Sequence, residues 1–458
     1  MPWTKKFWLN FSVGKIARLV LLEAPLGLGF ALSLKALCLY FGPSFFLVES
    51  LILASNIFSR IATMHDDLPL GFKASAAACG FKQAGRNDLG LILSATPCVY
   101  AGLFTKNRFS AAPVKICQDL LAQNKRVRAI VANSGQANAC TGTVGLSNAK
   151  ACQEMIAASF DCESDEVLPI STGVIGTQLK LDLWQQGLPM LKENLGKLYA
   201  EGFTRAMMTT DAFPKFSTHD LTLSKGKVRL TVMAKGAGMI CPNMATMLCV
   251  CLTDAQVEPT VWQEMFSQAV AQTFNRVSVD GDTSTNDTIL GLANGASSVP
   301  LATESDVKLF SNNLTAILAR VAHMLVMDGE GAHKVIHITV TGAIDEKNAA
   351  IVARSVGNSQ LVKTAIYGGD ANWGRIITAV GYSGASYDPE TVSLKLCGIE
   401  RFNHGQPVND DQEEALAKLL QAKDVFVEIS LGQGAGSYTL ETSDLGHEYV
   451  TLNSDYRS

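Results

Sequence analysis

The sequence predicts an α/β fold in which helices cover β-sheets. From residue 64 onward, short apolar runs typical of strands alternate with longer segments of helical periodicity. Apolar residues make up 47% of the 458-residue chain and charged residues 17%, so most of the chain can bury a core. This composition excludes a largely disordered or fibrous protein.

The first half of the pattern predicts strands in its short apolar runs and helices in its longer amphipathic or alanine-rich segments. The expected strands are 89–94, 99–104, 127–132 and 167–170, and the expected helices are 113–123 and 146–160. We separate the first two strands at Thr96-Pro97, because proline lacks the backbone donor of a continuing ladder. Polar turns are expected after the last two strands, at 133–138 and 171–176.

The second half of the chain continues the alternation. The expected strands are 228–234, 247–252, 335–340, 392–396 and 425–430. The expected helices are 261–274, 307–325, 347–356 and 412–422. A glycine-rich turn joins the first two of these strands, and it contains the densest group of unusual residues in the chain.

Charge and cysteine content narrow the function classes. Lys plus Arg number 38 and Asp plus Glu 42, for a net charge of −4, so we expect no nucleic-acid partner. The 11 Cys include no Cys-x-x-Cys pair, which favours reduced thiols in a reducing compartment. His333 and His337 lie four residues apart, but no Glu follows His333 as in a zinc-protease helix, and we predict no metal site.

Residues 1–63 form an apolar N-terminal extension that differs from the rest of the chain. Its longest uncharged runs, 24–34 and 36–48, are shorter than the ~20 residues that span a bilayer. Three interpretations stay open: a membrane-associating leader, a transit segment, or an upstream extension outside the mature protein. Met64 opens the first stretch of ordinary soluble composition, which favours the third.

The segment 235–248 has two interpretations. It is either a plain glycine-bearing loop between two strands, or a loop that exposes the Ala245–Thr246 peptide to the Thr246 hydroxyl. Attack of that hydroxyl on the Ala245 carbonyl would give an ester, and hydrolysis would leave Thr246 as a new N-terminus. The freed α-amine, with an ordinary pKa of about 7.7–8.0, would then serve as the base for the hydroxyl on the same residue.

Eight segments, taken in order, closely resemble the bifunctional ornithine acetyltransferase/glutamate N-acetyltransferase family of arginine biosynthesis. They are NSGQANACTG (133–142), STGVIG (171–176), MTTD (208–211), KGAGMICPNMATML (235–248), VDGDTSTND (279–287), DGEGA (328–332), YGGDANWGR (367–375) and NSDYRS (453–458). The similarity runs from about Leu68 to Ser458 and leaves out only the N-terminal extension.

The resemblance implies a sandwich of β-sheets and helices of the ornithine acetyltransferase and self-processing aminopeptidase type. It implies cleavage between Ala245 and Thr246, which gives an alpha chain (64–245) and a beta chain (246–458) that assemble as two copies of each. Thr246 then resembles the nucleophile, and Thr172 and Gly173 match the family's oxyanion hole. A Thr hydroxyl and a Gly N–H both donate hydrogen bonds to a developing negative oxygen.

The resemblance also implies a set of substrate contacts: Thr209, Lys235, Thr246, Glu330, Asn453 and Ser458. Lys235 suits an α-carboxylate and Glu330 suits an ammonium group. Thr210 stays open as an alternative to Thr209. This chain departs from the family at Cys241, where a His often precedes the proline, and at Ser458, where the chain often ends in Thr.

The implied reaction transfers the acetyl group of N-acetylornithine to glutamate through an acetyl-Thr246 intermediate. No metal or nucleotide cofactor is expected, and the sequence leaves open whether acetyl-CoA is a second acetyl donor. The alternative is a self-processing N-terminal-nucleophile aminopeptidase or amidohydrolase, in which water accepts the acyl group. We expect a cytoplasmic enzyme, with the mitochondrial matrix as the alternative location.

Overall fold

The computed structural model describes residues 67–82, 85–241, 247–408 and 412–455. The predicted extension 1–63 lies outside the described residues, and so do Ala245, Thr246 and Ser458. The expectations for those residues therefore stay predictions.

The described residues form the following strands and helices. The strands are β1 Phe72–Ala77, β2 Leu89–Phe104, β3 Val127–Gln136, β4 Val167–Val174, β5 Lys215–Leu223, β6 Gly226–Lys235, β7 Leu248–Thr253, β8 Val277–Ser278, β9 Thr288–Ala293, β10 Val335–Ala343, β11 Ser393–Leu396, β12 Ile399–Asn403, β13 Gln406–Pro407, β14 Asp424–Ser430 and β15 Gly436–Ser443. The helices are α1 Ala112–Ala122, α2 Gly142–Phe160, α3 Leu181–Asn194, α4 Ala200–Met207, α5 Pro259–Gln272, α6 Glu304–Met327, α7 Glu346–Gly357, α8 Gln360–Gly368, α9 Trp373–Gly381, α10 Glu413–Leu419 and α11 His447–Asp455. The predicted α/β class is confirmed.

Sheet 1 has the strand order β4-β3-β2-β9-β7-β6-β5, and β1 pairs with β2 outside this path. The pairs β3–β4 and β7–β9 are parallel, and the other pairs are antiparallel. Sheet 2 has the order β13-β12-β11-β14-β10-β15-β8. In sheet 2, β10–β14 and β15–β8 are parallel.

Strand β2 corrects the predicted break at Thr96-Pro97. The two expected strands are one long strand, and its register shifts between Leu93 and Cys98. Its first half pairs with β1 and β3, and its second half pairs with β9. Pro97 is exposed at the point where the partner changes, so its missing N–H interrupts no ladder.

Strands β3 and β4 also differ from the prediction, because each continues into the segment that we expected to be a turn. The continuation pairs in parallel, with Ser134 opposite Thr172 and Gly135 opposite Gly173. Buried polar side chains there have partners, and Ser171 Oγ donates to Asn133 Oδ1 at 2.6 Å. A polar run can form a buried strand when its side chains bond one another.

Helices cover both faces of sheet 1. Helices α5 and α6 pack on one face around Trp262, Phe266 and Phe310, and α1 and α4 pack on the other. Alternate residues of β6 point to opposite faces, with Val232 in the first core and Met233 in the second. Sheet 2 buries its own core against α7, α8 and α9.

One helix in the described part of the chain, α6, has the length and apolar composition of a membrane span. Its residues Phe310, Leu314 and Leu318 are fully buried in the core beside sheet 1. The packing of α6 is therefore that of a core helix.

Candidate active site

Residues that are far apart in the sequence line one pocket. Those predicted for the site are Thr172, Gly173, Thr209, Lys235, Glu330 and Asn453. The other lining residues are Ala137, Ile175, Thr210, Gly238, Met239, Ser284, Thr285 and Asn286. The structure thus brings together every predicted site residue that it describes.

Thr172 and Gly173 lie near the end of β4, where it runs close beside β3. Gly173 has φ +126°, and a Cβ built on it would lie 2.3 Å from the backbone carbon of Gly135. Only glycine fits at this approach of two strands. Thr172 and Gly173 both line the pocket, and a hydroxyl and a backbone N–H are donor types that an oxyanion hole uses.

Lys235 ends β6 and is 4% exposed. Its Nζ donates to Thr209 Oγ1 at 2.9 Å and to Thr172 Oγ1 at 3.2 Å. Burial lowers the pKa of Lys235, and the carboxylate of Asp211 opposes that effect. Both hydrogen-bond partners of the ammonium are neutral hydroxyls, and Lys235 lines the pocket, where its charge can bind an anion.

The hydrogen bond from Lys235 decides what the Thr172 hydroxyl can still donate. Its hydroxyl oxygen accepts the hydrogen bond from Lys235, which leaves the hydroxyl proton to donate elsewhere.

Thr209 also accepts a hydrogen bond from Lys235, whereas Thr210 lines the pocket without such a bond. This contact favours Thr209 as the residue that acts with Lys235.

Glu330 gives the pocket a negative charge. Its backbone N–H donates to the Ala237 carbonyl at 2.8 Å, which ties the loop after α6 to the loop after β6. Asn453 of α11 donates from Nδ2 to Glu330 Oε2 at 2.8 Å. The pocket therefore has a cation at Lys235 and an anion at Glu330, as a zwitterionic ligand requires.

The described residues on both sides of the predicted cleavage point are held in place. On the first side, the Asp280 carboxylate accepts from the N–H groups of Met239, at 2.5 Å, and Ile240, at 2.8 Å. On the second side, Met247 N donates to Asp287 Oδ1 at 3.1 Å. Burial raises the pKa of both carboxyl groups.

Asp280-Gly281-Asp282 is a bend in which Asp280 Oδ1 also accepts from the Asp282 N–H at 3.2 Å. No role was predicted for Asn286, which follows in the same motif. Asn286 donates to the carbonyls of Ala137 and Ser171, at 2.6 and 2.8 Å, and so joins this loop to β4.

Cys241 lies beside the segment 242–246 and is partly buried. Burial raises the pKa of its thiol, and Asn358 Nδ2 lies 3.8 Å from the sulfur. A thiol whose pKa is raised holds less of the reactive thiolate. The Cys241 thiol is therefore a weaker nucleophile than an ordinary exposed thiol.

Among the residues that the structure describes, no group of three or more His, Cys, Asp or Glu side chains is arranged to hold a metal ion. His337 instead pairs with Asp424 at 2.8 Å, on sheet 2.

An α/β fold with an ammonium, a carboxylate and several hydroxyls in one pocket defines a protein that acts on small polar molecules. The ArgJ family model matches residues 73–458. The arginine biosynthesis bifunctional protein ArgJ of Nitratidesulfovibrio vulgaris is 54% identical over 390 residues, covering 85% of this chain and 99% of that protein. The mitochondrial ArgJ of Heterostelium pallidum is 40% identical, over 86% of this chain and 95% of that protein. The chain belongs to the ArgJ family.

Among solved structures, the crystal structure of the arginine biosynthesis bifunctional protein ArgJ of Bacillus halodurans is 38% identical to this chain. The alignment covers 44% of this chain and 96% of that chain, with a TM-score of 0.43.

Proposed function

We propose that this enzyme transfers the acetyl group of N-acetylornithine to glutamate through an acetyl ester on Thr246. The pocket is the observation that supports this most directly, because it combines a buried Lys235, the Thr172-Gly173 donors and Glu330. Family membership supports the same activity, since relatives that match nearly end to end are named bifunctional proteins of arginine biosynthesis.

The first half-reaction forms the acetyl-enzyme. The Thr246 hydroxyl attacks the acetyl carbonyl while its own α-amine takes the proton. The negative oxygen of the tetrahedral intermediate accepts from the Thr172 hydroxyl and the Gly173 N–H. The C–N bond then breaks, the α-amine of ornithine leaves with the proton, and the acetyl group stays on Thr246.

The second half-reaction returns the enzyme to its starting state. Glutamate enters the pocket, and its neutral α-amine attacks the ester carbonyl. The same two donors stabilise the second tetrahedral intermediate. The C–O bond breaks, the Thr246 oxygen recovers a proton, and N-acetylglutamate leaves.

One pocket serves both amino acids because they share an α-carboxylate, which Lys235 binds. Glu330 binds the side-chain ammonium of N-acetylornithine, and Asn453 offers an amide to either substrate side chain. Ser458 is the remaining proposed contact. No metal or nucleotide cofactor takes part in this scheme.

Activation by cleavage between Ala245 and Thr246 is part of the proposal. Intact-mass analysis with N-terminal sequencing should find a fragment that begins at Thr246. We expect Thr246→Ala to give only uncleaved, inactive chain, and Cys241→Ser to cleave normally. Unbroken wild-type chain with full turnover would contradict the proposal, and uncleaved Cys241→Ser would point to the thiol.

A second acetyl donor, acetyl-CoA, distinguishes the bifunctional form that we propose from a monofunctional one. Purified protein given glutamate and acetyl-CoA should form N-acetylglutamate. The rival function, an N-terminal-nucleophile aminopeptidase or amidohydrolase, is separated by ornithine release from N-acetylornithine. Release that does not depend on glutamate would favour the hydrolase.

The assembly and the location belong to the same proposal. We propose two copies each of an alpha chain (64–245) and a beta chain (246–458), in the cytoplasm. The mitochondrial relative supports the matrix as the alternative location.

A further inference from the structure

A buried ion cluster lies behind the pocket and outside its lining. The side chain of Lys215, at the start of β5, is fully buried between two carboxylates. Its Nζ is 2.6 Å from Asp211 Oδ1 and 2.5 Å from Asp328 Oδ2. Both acids are themselves buried, at 6% and 7% exposure.

The cluster reaches the predicted substrate contacts through the backbone. Asp211 Oδ2 accepts from the Thr209 N–H at 2.9 Å, and Asp211 Oδ1 accepts from the Gly236 N–H at 2.6 Å. One carboxylate therefore holds the residue that bonds Lys235 Nζ and also the residue that follows Lys235.

Asp328 connects the ion cluster to the loop of Glu330, which is the negative charge of the pocket. Its carboxylate accepts from the Ala212 N–H at 3.0 Å and contacts Lys215, and it lies two residues before Glu330. The cluster thus joins the segment of Thr209, the end of β6 and the loop of Glu330.

Stability alone does not account for such a cluster. The desolvation of buried ion pairs often offsets their attraction, and apolar residues of similar volume are often as stabilising. A fixed set of charge-assisted hydrogen bonds does, however, select one arrangement of the backbone. Besides Asp211 and Lys215, the charged groups that act on Lys235 are Glu330, Asp287 and Lys82.

We propose that Asp211, anchored by Lys215 and Asp328, is a positioning residue that sets Thr209 and Lys235 for binding the substrate α-carboxylate. This inference rests on the proposed function, because it gives the same pocket its ligand geometry. It is also supported by charge: burial would raise the pKa of Asp211, but Lys235 and Lys215 outweigh it and hold that pKa at about 2. The Asp211 carboxylate in turn favours the charged form of Lys235.

The decisive variant is Asp211→Asn, which keeps the shape of the side chain and removes its charge. We expect KM for both N-acetylornithine and glutamate to rise about 10-fold or more, with a smaller change in kcat per cleaved chain. Without the carboxylate, Lys235 loses its proton at lower pH. The alkaline fall in substrate affinity should therefore move to lower pH, which a merely structural role would not cause.

Asp306→Asn is the matched control. Asp306 is another buried carboxylate, 4% exposed, and it bonds the Ser224 N–H at 2.8 Å and the Ser224 hydroxyl at 2.6 Å, outside the pocket lining. It should lower thermal stability and leave KM unchanged. KM values and pH profiles of Asp211→Asn that match those of Asp306→Asn would overturn the inference.

A second variant and a binding measurement complete the test. If Asp211→Asn does not fold, Asp328→Asn takes its place, because it leaves Lys215 one charged partner and the same KM increase is expected. Calorimetric binding of ornithine to wild type and variant does not require turnover. A wild type that binds ornithine but transfers no acetyl group would contradict the proposed function, whereas equal ornithine affinities would contradict only the positioning role.

Discussion

Glu330 depends on a neighbouring residue that has no side chain. A Cβ built on Gly238 would lie 2.4 Å from Glu330 Oε2 and 2.5 Å from Glu330 Cδ. The backbone of Gly238 is not in the left-handed region, so alanine itself is not strained there. The glycine therefore leaves room for the carboxylate that faces the pocket.

Gly238→Ala should displace the Glu330 carboxylate and weaken binding of the side-chain ammonium. We expect KM for N-acetylornithine to rise about 10-fold, a loss typical of one hydrogen bond to a charged group, with a smaller increase for glutamate. Steady-state kinetics with each substrate measure this. Gly381→Ala, where a Cβ meets nothing within 4 Å, is the control. Equal changes for both substrates would argue against a role of Glu330 in ammonium binding.

The sequence could predict which residue types the site needs, but not all of their neighbours. The family motifs predict Lys235 and Glu330 as substrate contacts, and both residues line the same pocket. Asp211 lay inside a quoted motif without a predicted role, because Asp328, which shares Lys215 with it, is more than a hundred residues away. Contacts of that range depend on tertiary packing, which local pattern does not encode.

Among the elements, the parallel pair β3–β4 shows why some boundaries were wrong. The expected strands ended at Ala132 and Ile170, where the residues become polar. The strands continue because each polar segment supplies the partner of the other.

The unpredicted helix α3 contains Gly187 and Pro189, which lower helix propensity, and tertiary packing nevertheless stabilises it.

Gly173→Ala tests that strand pair. The new Cβ would meet the Gly135 backbone at 2.3 Å, so the strands must separate. Gly176→Ala is the control, because Gly176 also has positive φ, +84°, but open space around it. We expect the free energy of unfolding of Gly173→Ala to lie below that of the control by about 2 kcal/mol. Urea denaturation measures both, and equal values would show that β3 and β4 have room to separate.

In sheet 2, Glu441 of β15 lies between two histidines. Its carboxylate is 2.8 Å from His323 Nδ1 of α6 and 3.5 Å from His337 Nδ1 of β10, and His337 also bonds Asp424 of β14. Burial would raise the pKa of Glu441, but hydrogen bonds from the histidines outweigh it and lower the pKa to about 2. Burial would lower the pKa of His337, but its two carboxylate partners raise it.

Glu441→Gln should therefore lose stability in a pH-dependent way. An acid whose folded pKa is lowered stabilises the fold above its ordinary value of 4.5 and loses that effect as pH falls toward 2. The raised pKa of His337 adds stability below its ordinary 6.5, which is lost at higher pH. The wild type should exceed the variant by about 1–3 kcal/mol between these values, and by less on either side. A difference that is constant with pH in urea denaturation would contradict this assignment.

On the scale of the whole molecule, the predicted cleavage point lies between two strands that pair in one sheet. Lys235, the last residue of β6, is opposite Leu248, the first residue of β7. Sheet 1 runs β2-β9-β7-β6 through its centre, so strands of the predicted beta chain (246–458) lie between strands of the alpha chain (64–245). The two fragments share a core and are not separate folding units.

This arrangement predicts that cleavage does not release the fragments. Every residue of β7 and β9 is buried, so separation would expose two central strands and break their ladders to β6 and β2. Cleaved wild type and uncleaved Thr246→Ala should elute together from a sizing column in native buffer, and the fragments should part only in denaturant. Light scattering on the same peak would give the mass of two alpha and two beta chains. Fragments that elute apart in native buffer would contradict the shared sheet, whereas a single peak with the mass of one pair would contradict only the proposed assembly.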